Sequence, residues 1–352
     1  MNLRRPLTAL ITLIATVATG CAAPDSGRGA TITVYSSSGL SDWYRPQFEK
    51  FTAETGIGVN LFEAGSGELV SRVNSRAVWE GLEGAESVPP ADLLITLPPF
   101  MQKAAKAGVL QSGGADTTGI SPELVDTAGL FVPVALTALC FIANPSVTPM
   151  PATWDDLLRP ELKGKLQYST PGEAGDGTAL LLLLQQLMGK RDALDFLAEL
   201  QSNNVGPASS TAVLGPKVAS GELLVANGDL QMNLAAIKND KSRFNIFFPA
   251  MPNGARTSIS LPYLAGVTTL TTRPDEARRL LALLLSDEAQ RALHSEAAGI
   301  PVRESIARET AQDTDALSPA AFLTGVTMWA PDWYTVLTEL DADLEAYRVA
   351  VG

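Results

Sequence analysis

Ten small, polar and turn-forming residues, "STPGEAGDGT" (169–178), run directly into the greasiest stretch of the chain after its N-terminal leader, "ALLLLLQQLMGK" (179–190). The second stretch is apolar on nearly every face, with Gln185 and Gln186 as the interruption. It therefore reads as a buried helix over 179–188. It is too short to cross a bilayer, which needs about 20 apolar residues. The first stretch supplies the start of that helix: Asp176, Gly177 and Thr178 carry capping chemistry, and glycine admits close approach of backbone. A helix start leaves N–H groups unpaired and carries partial positive charge, which makes it a seat for an anion. Self-capping is the plainer reading of the same residues.

Working outward, short buried strands alternate with helical periods. "TITVY" (31–35) reads as a strand, and "DWYRPQFEKFTAETG" (42–56) as a helix with Trp43, Phe48 and Phe51 on one face and a stop at Gly56. "GVNLF" (58–62) is the next strand, 68–79 the next helix, and "ADLLITL" (91–97) the third strand. The alternation predicts a parallel sheet covered on both faces. "GLEGAESVPP" (81–90) reads as a surface loop. Two long apolar runs, "LFVPVALTALCFIANP" (130–145) and "SISLPYLAGVTTL" (258–270), suit strands crossing between two domains, with a second α/β pattern between them. The expected fold is α/β: two lobes joined by a two-crossing hinge. Residues 31–133 plus 262–352 form lobe 1 and 134–261 lobe 2.

In open α/β sheets ligands bind beyond the carboxyl ends of the strands. The loops expected there are "SSSGLS" (36–41), "EAGSGE" (63–68), "LPPF" (97–100), "STPGEAGDGT" and "NGDLQMN" (227–233), all small, polar or glycine-bearing. Ser37, Ser38, Gly39, Ser66, Gly67, Gly177 and Thr178 are the candidate oxyanion ligands, with Ser169 a further candidate for ligand contact. Asp176 and Asp229 are the acidic residues beside them; they are poor neighbours for a simple anion but suit a ligand that also carries an ammonium group. As plain structure, Asp176 is an N-cap and Asp229 a turn residue. Trp43, Tyr44, Tyr168 and Tyr263 offer aromatic faces to such a cation.

The chain has 352 residues and a formal net charge of −12, which argues against a nucleic-acid partner. A bound anion must be held by local geometry against that field. The segment "MNLRRPLTALITLIATVATGC" (1–21) has the basic, apolar and small-residue regions of an export leader, and resembles a bacterial lipoprotein signal with Cys21 as the lipidation site. Its removal takes away Arg4 and Arg5 and leaves −14. Residues 22–30 then read as a tether. The expected location is extracytoplasmic, anchored to the cell membrane. Cys140 is the other cysteine and reads as a buried small hydrophobe. His294 is the single histidine, on a helical segment, and there is no Cys cluster, so no metal or cofactor is expected. "AGSGE" lacks the G-x-S-x-G spacing of a nucleophile elbow, so hydrolysis is not expected.

"QYSTPGEAGDGTALLLLLQQLMGK" (167–190), "VANGDLQMNLA" (225–235), "ADLLITLPPF" (91–100) and "LQSNNVGP" (200–207) resemble the periplasmic substrate-binding proteins of 2-aminoethylphosphonate ABC importers, over about residues 31–305. The resemblance implies the type II periplasmic-binding-protein fold, a zwitterionic phosphonate held between lobes, and delivery to a membrane permease with its ATPase; the protein is expected to be a monomer. It implies no enzymatic activity. On this pattern Ser37, Ser38, Ser66, Gly67, Gly177 and Thr178 are phosphonate donors, and Asp229 and Asp176 ammonium partners. Iron-binding relatives carry two adjacent tyrosines; no two of the six tyrosines are adjacent here.

Overall fold

The computed structural model describes residues 29–78 and 89–352. Cys21, most of the tether, Trp79 and the greater part of the 81–90 loop lie outside the described residues. The strands are β1 (Thr31–Ser37), β2 (Gly58–Ala64), β3 (Leu93–Thr96), β4 (Leu110–Gln111), β5 (Val132–Ala143), β6 (Leu166–Gln167), β7 (Val225–Asp229), β8 (Asn245–Phe247), β9 (Thr257–Thr268) and β10 (Thr327–Trp329). They run in the order β2-β1-β3-β9-β5-β7-β6, with β4 and β10 on β9 and β8 on β5.

The two apolar runs are the two crossings. β5 and β9 pair antiparallel, from Val132↔Ala265 to Ala138↔Ser260. In one lobe β9 continues against β3, which lies parallel to β1, and β1 parallel to β2. In the other, β5 continues against β7, which carries β6. Both long strands thus contribute to both halves of the sheet.

Helices cover this sheet. In the first lobe α1 (Ser41–Thr55), α2 (Ser66–Val78) and α3 (Phe100–Lys106) follow β1, β2 and β3. α1 buries Trp43, Tyr44, Phe48 and Phe51 and ends at Gly56, whose φ of 73° is the left-handed cap the sequence signals. Pro46 lies inside this helix, past its first turn, because the helix starts at Ser41. In the second lobe α4 (Gly175–Met188), α6 (Leu214–Ser220) and α7 (Leu230–Lys238) pack against β7, and α5 (Lys190–Leu200) packs on α4. The leucine run is buried throughout: Leu180 to Leu184 are each no more than 5% exposed. α4 is longer than its leucines because it recruits the glycine-rich stretch as its first turn.

The C-terminal part is helical: α8 (Pro274–Leu284), α9 (Asp287–Ala297), α10 (Glu304–Thr310), α11 (Pro319–Leu323) and α12 (Trp333–Val351). The stretch 274–297 is two helices, broken at Ser286, whose side chain caps the second. Leu317, Phe322, Leu323 and Val326 pack against the second-lobe cluster around Leu214 and Leu230, and β10 adds to the start of β9. α12 then lies against both α5 and α3. Cys140 is buried, with the Asn233 amide 3.6 Å from its sulfur. Among the described residues no helix is long and apolar enough to cross a membrane.

Candidate functional site

The strand ends and helix starts singled out in the sequence meet between the lobes. Ser37, the last residue of β1, places its Oγ 2.8 Å from Ser66 Oγ and 3.0 Å from Thr96 Oγ1. These three hydroxyls come from the ends of β1, the start of α2 and the end of β3, and all are buried. Next to them Ser36 Oγ lies 2.9 Å from the Tyr44 hydroxyl. The start of α4, from the other lobe, closes onto this cluster. A Cβ built on Gly175 would sit 2.9 Å from Ser66 Oγ and 2.6 Å from Leu97. Ala174 is the N-cap of α4 and provides no capping side chain, and the first turn of a helix carries partial positive charge.

Two carboxylates share this buried space. Asp229 ends β7 and caps α7: its Oδ1 accepts from Met232 N at 3.0 Å and from Thr137 Oγ1 at 2.7 Å. Its Oδ2 accepts from the Tyr263 hydroxyl at 2.7 Å. The expected turn role of Asp229 is thus one part of a larger set of bonds. Asp176 does not cap α4; it lies one residue inside the first turn, 5% exposed, and its Oδ1 meets no donor. Burial, then the negative charge of Asp229, push the Asp176 carboxyl from 3.8 up to about 7 against the opposing Thr211 hydroxyl. Burial also raises Asp229, while Thr137, Tyr263 and the N–H groups of Met232 and Gln231 draw it back. Among the described residues no Lys, Arg or His is buried. An anion held here is therefore held by hydroxyls and backbone N–H groups.

The lobes are pinned together around the site. Tyr263, on β9, is 3.0 Å from Ser38 O as well as bonded to Asp229. Gln231 donates to Gly39 O at 2.8 Å and Ala297 O at 2.7 Å, and Asn239 to Asp42 at 2.7 Å and Glu296 O at 2.9 Å. Gly67 N donates to Glu173 O at 2.8 Å. Gly39 combines φ +126° with a position where a Cβ would be 2.7 Å from the Tyr263 hydroxyl, so only glycine fits the seam there. A cavity of about 290 Å³ opens at the rim beside Ser38, Gly39 and Met232.

The sequence-predicted residues thus separate into groups. Ser37, Ser66, Asp176, Asp229 and Tyr263 come together in the buried cleft, with Ser38 and Gly39 at its rim and Gly67 in the seam. Ser169 is buried beside it, bonded to Asn227 and Thr211. Thr178 spends its hydroxyl inside the second lobe, accepting from Gly172 N at 2.9 Å and donating to Ala174 O at 2.9 Å. Gly177 packs directly on the Ser169 backbone. The Tyr168 hydroxyl bonds Gln201 and Tyr347 instead, and the Trp43 indole donates to Ala289 O. His294 is half-buried, its ring 2.9 Å from Asp313. Thr96, Thr137, Thr211 and Asn227 were not singled out. Thr96 ends a strand at an expected loop and could have been found by that rule; Thr137, in mid-strand, carries no such signal. Among the described residues no cluster of three or more His, Cys, Asp or Glu could hold a metal.

Residues 32–297 match the family model described as "Bacterial extracellular solute-binding protein". The chain is 39% identical over 325 residues, 91% of this chain and 92% of the relative, to a protein of Salmonella typhimurium (strain LT2) named "Putative 2-aminoethylphosphonate-binding periplasmic protein". Two solved structures share the fold: the periplasmic binding protein P5PA (TM-score 0.76, 18% identity, 92% of this chain and 100% of that one) and a periplasmic thiamin binding protein (TM-score 0.73, 18% identity, 93% and 98%). The architecture is the type II periplasmic-binding-protein fold. With the match spanning most of the chain, the protein belongs to the bacterial extracellular solute-binding protein family.

Proposed function

We propose that the protein is the substrate-binding component of an ABC importer for 2-aminoethylphosphonate, held at the outer face of the cell membrane through lipidated Cys21. The ligand sits in the inter-lobe cleft and the protein delivers it, as a monomer, to the permease and its ATPase; it catalyses nothing. The single observation that carries the reading is the meeting of a hydroxyl cluster (Ser37, Ser66, Thr96) and an uncapped helix start with a buried carboxylate pair, in a cleft with no buried cation among the described residues. The phosphonate takes the hydroxyls and the N–H groups of the α4 start, and hydroxyl hydrogens rotate to suit an oxyanion. The ammonium takes the carboxylate side, near the faces of Tyr44 and Tyr263. The name of the Salmonella relative points to the same ligand.

Micromolar affinity corresponds to about 8 kcal/mol, and charge-assisted hydrogen bonds contribute about 1.5–3 kcal/mol each, so a handful of such bonds suffices without arginine. Calorimetric titration of the ligand-stripped protein is expected to give micromolar or tighter binding of 2-aminoethylphosphonate, and at least tenfold weaker binding of inorganic phosphate, putrescine and iron(III). Equal or tighter binding of phosphate or putrescine would sink the reading. The anchor is tested separately. Membrane fractionation of the producing cell is expected to find the wild-type protein in the membrane pellet and Cys21→Ser in the soluble fraction; a Cys21→Ser protein that stays in the pellet overturns the lipid anchor.

A further inference from the structure

The two carboxylates of the cleft are not equivalent. Asp229 is saturated: three donors, from β5, α7 and β9, occupy its two oxygens, and the residue is fully buried. Two of those donors do structural work elsewhere. Thr137 Oγ1 also accepts from Gln231 N at 3.1 Å, and the Tyr263 hydroxyl, on the crossing strand β9, also reaches Ser38 O just past β1. Withdrawing Asp229 to meet a ligand would break the seam that holds the ligand in.

Asp176 is the reverse case. Its Oδ1 is buried and unpartnered, and it stands in the first turn of α4, whose Gly175 abuts Ser66 Oγ. A buried acceptor without a donor is rare in folded proteins, because it loses water and gains nothing in return. The missing donor here must satisfy one geometric condition and one electrostatic condition. It must present an N–H to a carboxylate next in sequence to the glycine that abuts Ser66 Oγ. It must also bring positive charge, because among the described residues no basic side chain is buried to balance either the carboxylates or the oxyanion.

We propose that Asp176, and not Asp229, is the specificity-determining residue that reads the ligand's amine, and that the site takes primary aminoalkyl phosphonates while rejecting their quaternary-amine counterparts. This deepens the reading given above and rests on it. Asp229 is a positioning residue: it orients Tyr263 and Thr137 and acts on the ligand only through the closed seam. A quaternary ammonium has no N–H to give Asp176 Oδ1, however well it stacks on Tyr44 and Tyr263. The rejection therefore separates a hydrogen-bonding carboxylate from an aromatic cage.

The test is titration calorimetry of the purified, ligand-stripped protein with 2-aminoethylphosphonate, ethylphosphonate and the N,N,N-trimethyl derivative of the former. Wild type is expected to favour the primary amine over both others by at least 100-fold. Asp176→Asn is expected to weaken 2-aminoethylphosphonate at least 100-fold while leaving ethylphosphonate within threefold, so that the preference collapses; Asp176→Ser serves if the first variant does not fold. Asp229→Asn is expected to weaken both ligands by a similar factor and to leave their ratio within threefold of wild type, a result that a ligand-contacting carboxylate would not give. A preserved ratio in the Asp176 variants, or a collapsed one in Asp229→Asn, overturns the assignment. Equal wild-type affinity for ethylphosphonate or for the trimethyl derivative also overturns it, while leaving the phosphonate reading in place. Wild-type protein that binds none of the three overturns both readings together.

Discussion

Gly65→Ala is expected to weaken ligand binding by a factor of about 100 or more while leaving the unliganded protein folded. Gly65 joins β2 to α2 and is buried in the seam. A Cβ there would lie 2.1 Å from the backbone oxygen of Ser209 in the second lobe, far inside contact distance and against backbone that cannot rotate away. Relief requires the lobes to stand apart by an ångström or more. That separation strains the neighbouring Gly67 N to Glu173 O bond and pulls the α4 start off the Ser37, Ser66 and Thr96 hydroxyls. Losing two charge-assisted contacts at about 1.5–3 kcal/mol each costs about 3–6 kcal/mol, a hundredfold or more in affinity. Calorimetric affinity and small-angle scattering check this. The wild type is expected to contract when ligand is added after stripping, and Gly65→Ala to contract less. Wild-type affinity in the variant would show that the seam seen here is not required for binding.

The second large effect has opposite signs for binding and for stability. Asp176 has its carboxyl raised from 3.8 in the unfolded chain to about 7 in the fold, by burial and by Asp229. Between those values the folded state binds the extra proton, so stability falls as pH rises. The contribution is fully present below about pH 4 and lost as pH passes through about 7. At 1.36 kcal/mol per unit the whole effect is on the order of 4 kcal/mol. Asp176→Asn removes the ionisation. The unliganded variant is therefore expected to melt about 5 °C above wild type at pH 8 and at nearly the same temperature at pH 4. Thermal melts at the two pH values, on protein stripped of ligand, make the comparison. A variant less stable than wild type at pH 8 would mean that the buried carboxylate is already paired when the site is empty. The same charge that weakens the empty protein is the one an ammonium would stabilise, which is why the two effects diverge.

Much of the fold was legible because its signals are local. The leucine run, Gly56 as a left-handed stop and the two long apolar crossings each depend on a few neighbouring residues, and each appears where the periodicity places it. The rule that ligands gather at the carboxyl ends of strands brought Ser37, Ser66 and Asp229 to the same cleft without any side-chain geometry. What the pattern missed involves partners far apart in the chain. Thr137 reaches Asp229 across 92 residues and Ser37 reaches Thr96 across 59. Tyr168 had every sequence credential of a cleft aromatic, and its hydroxyl pairs instead with Tyr347, 179 residues on.

The sequence by itself determined the class of fold, the two crossings, and a set of candidate loops that are small, hydroxylated and acidic but not basic. Those properties follow from period, composition and turn chemistry, which are set within a dozen residues. Only the tertiary structure decided which acidic residue is spoken for. By sequence, Asp176 is the better N-cap and Asp229 the better ligand partner; folding gives the cap to Asp229 and leaves Asp176 one residue inside its helix with a bare oxygen. The reason is that saturation of a carboxylate is a count of donors in space. Three donors converge on Asp229 from residues 137, 232 and 263 and none on Asp176 Oδ1, a difference fixed only when the two crossings bring the lobes together.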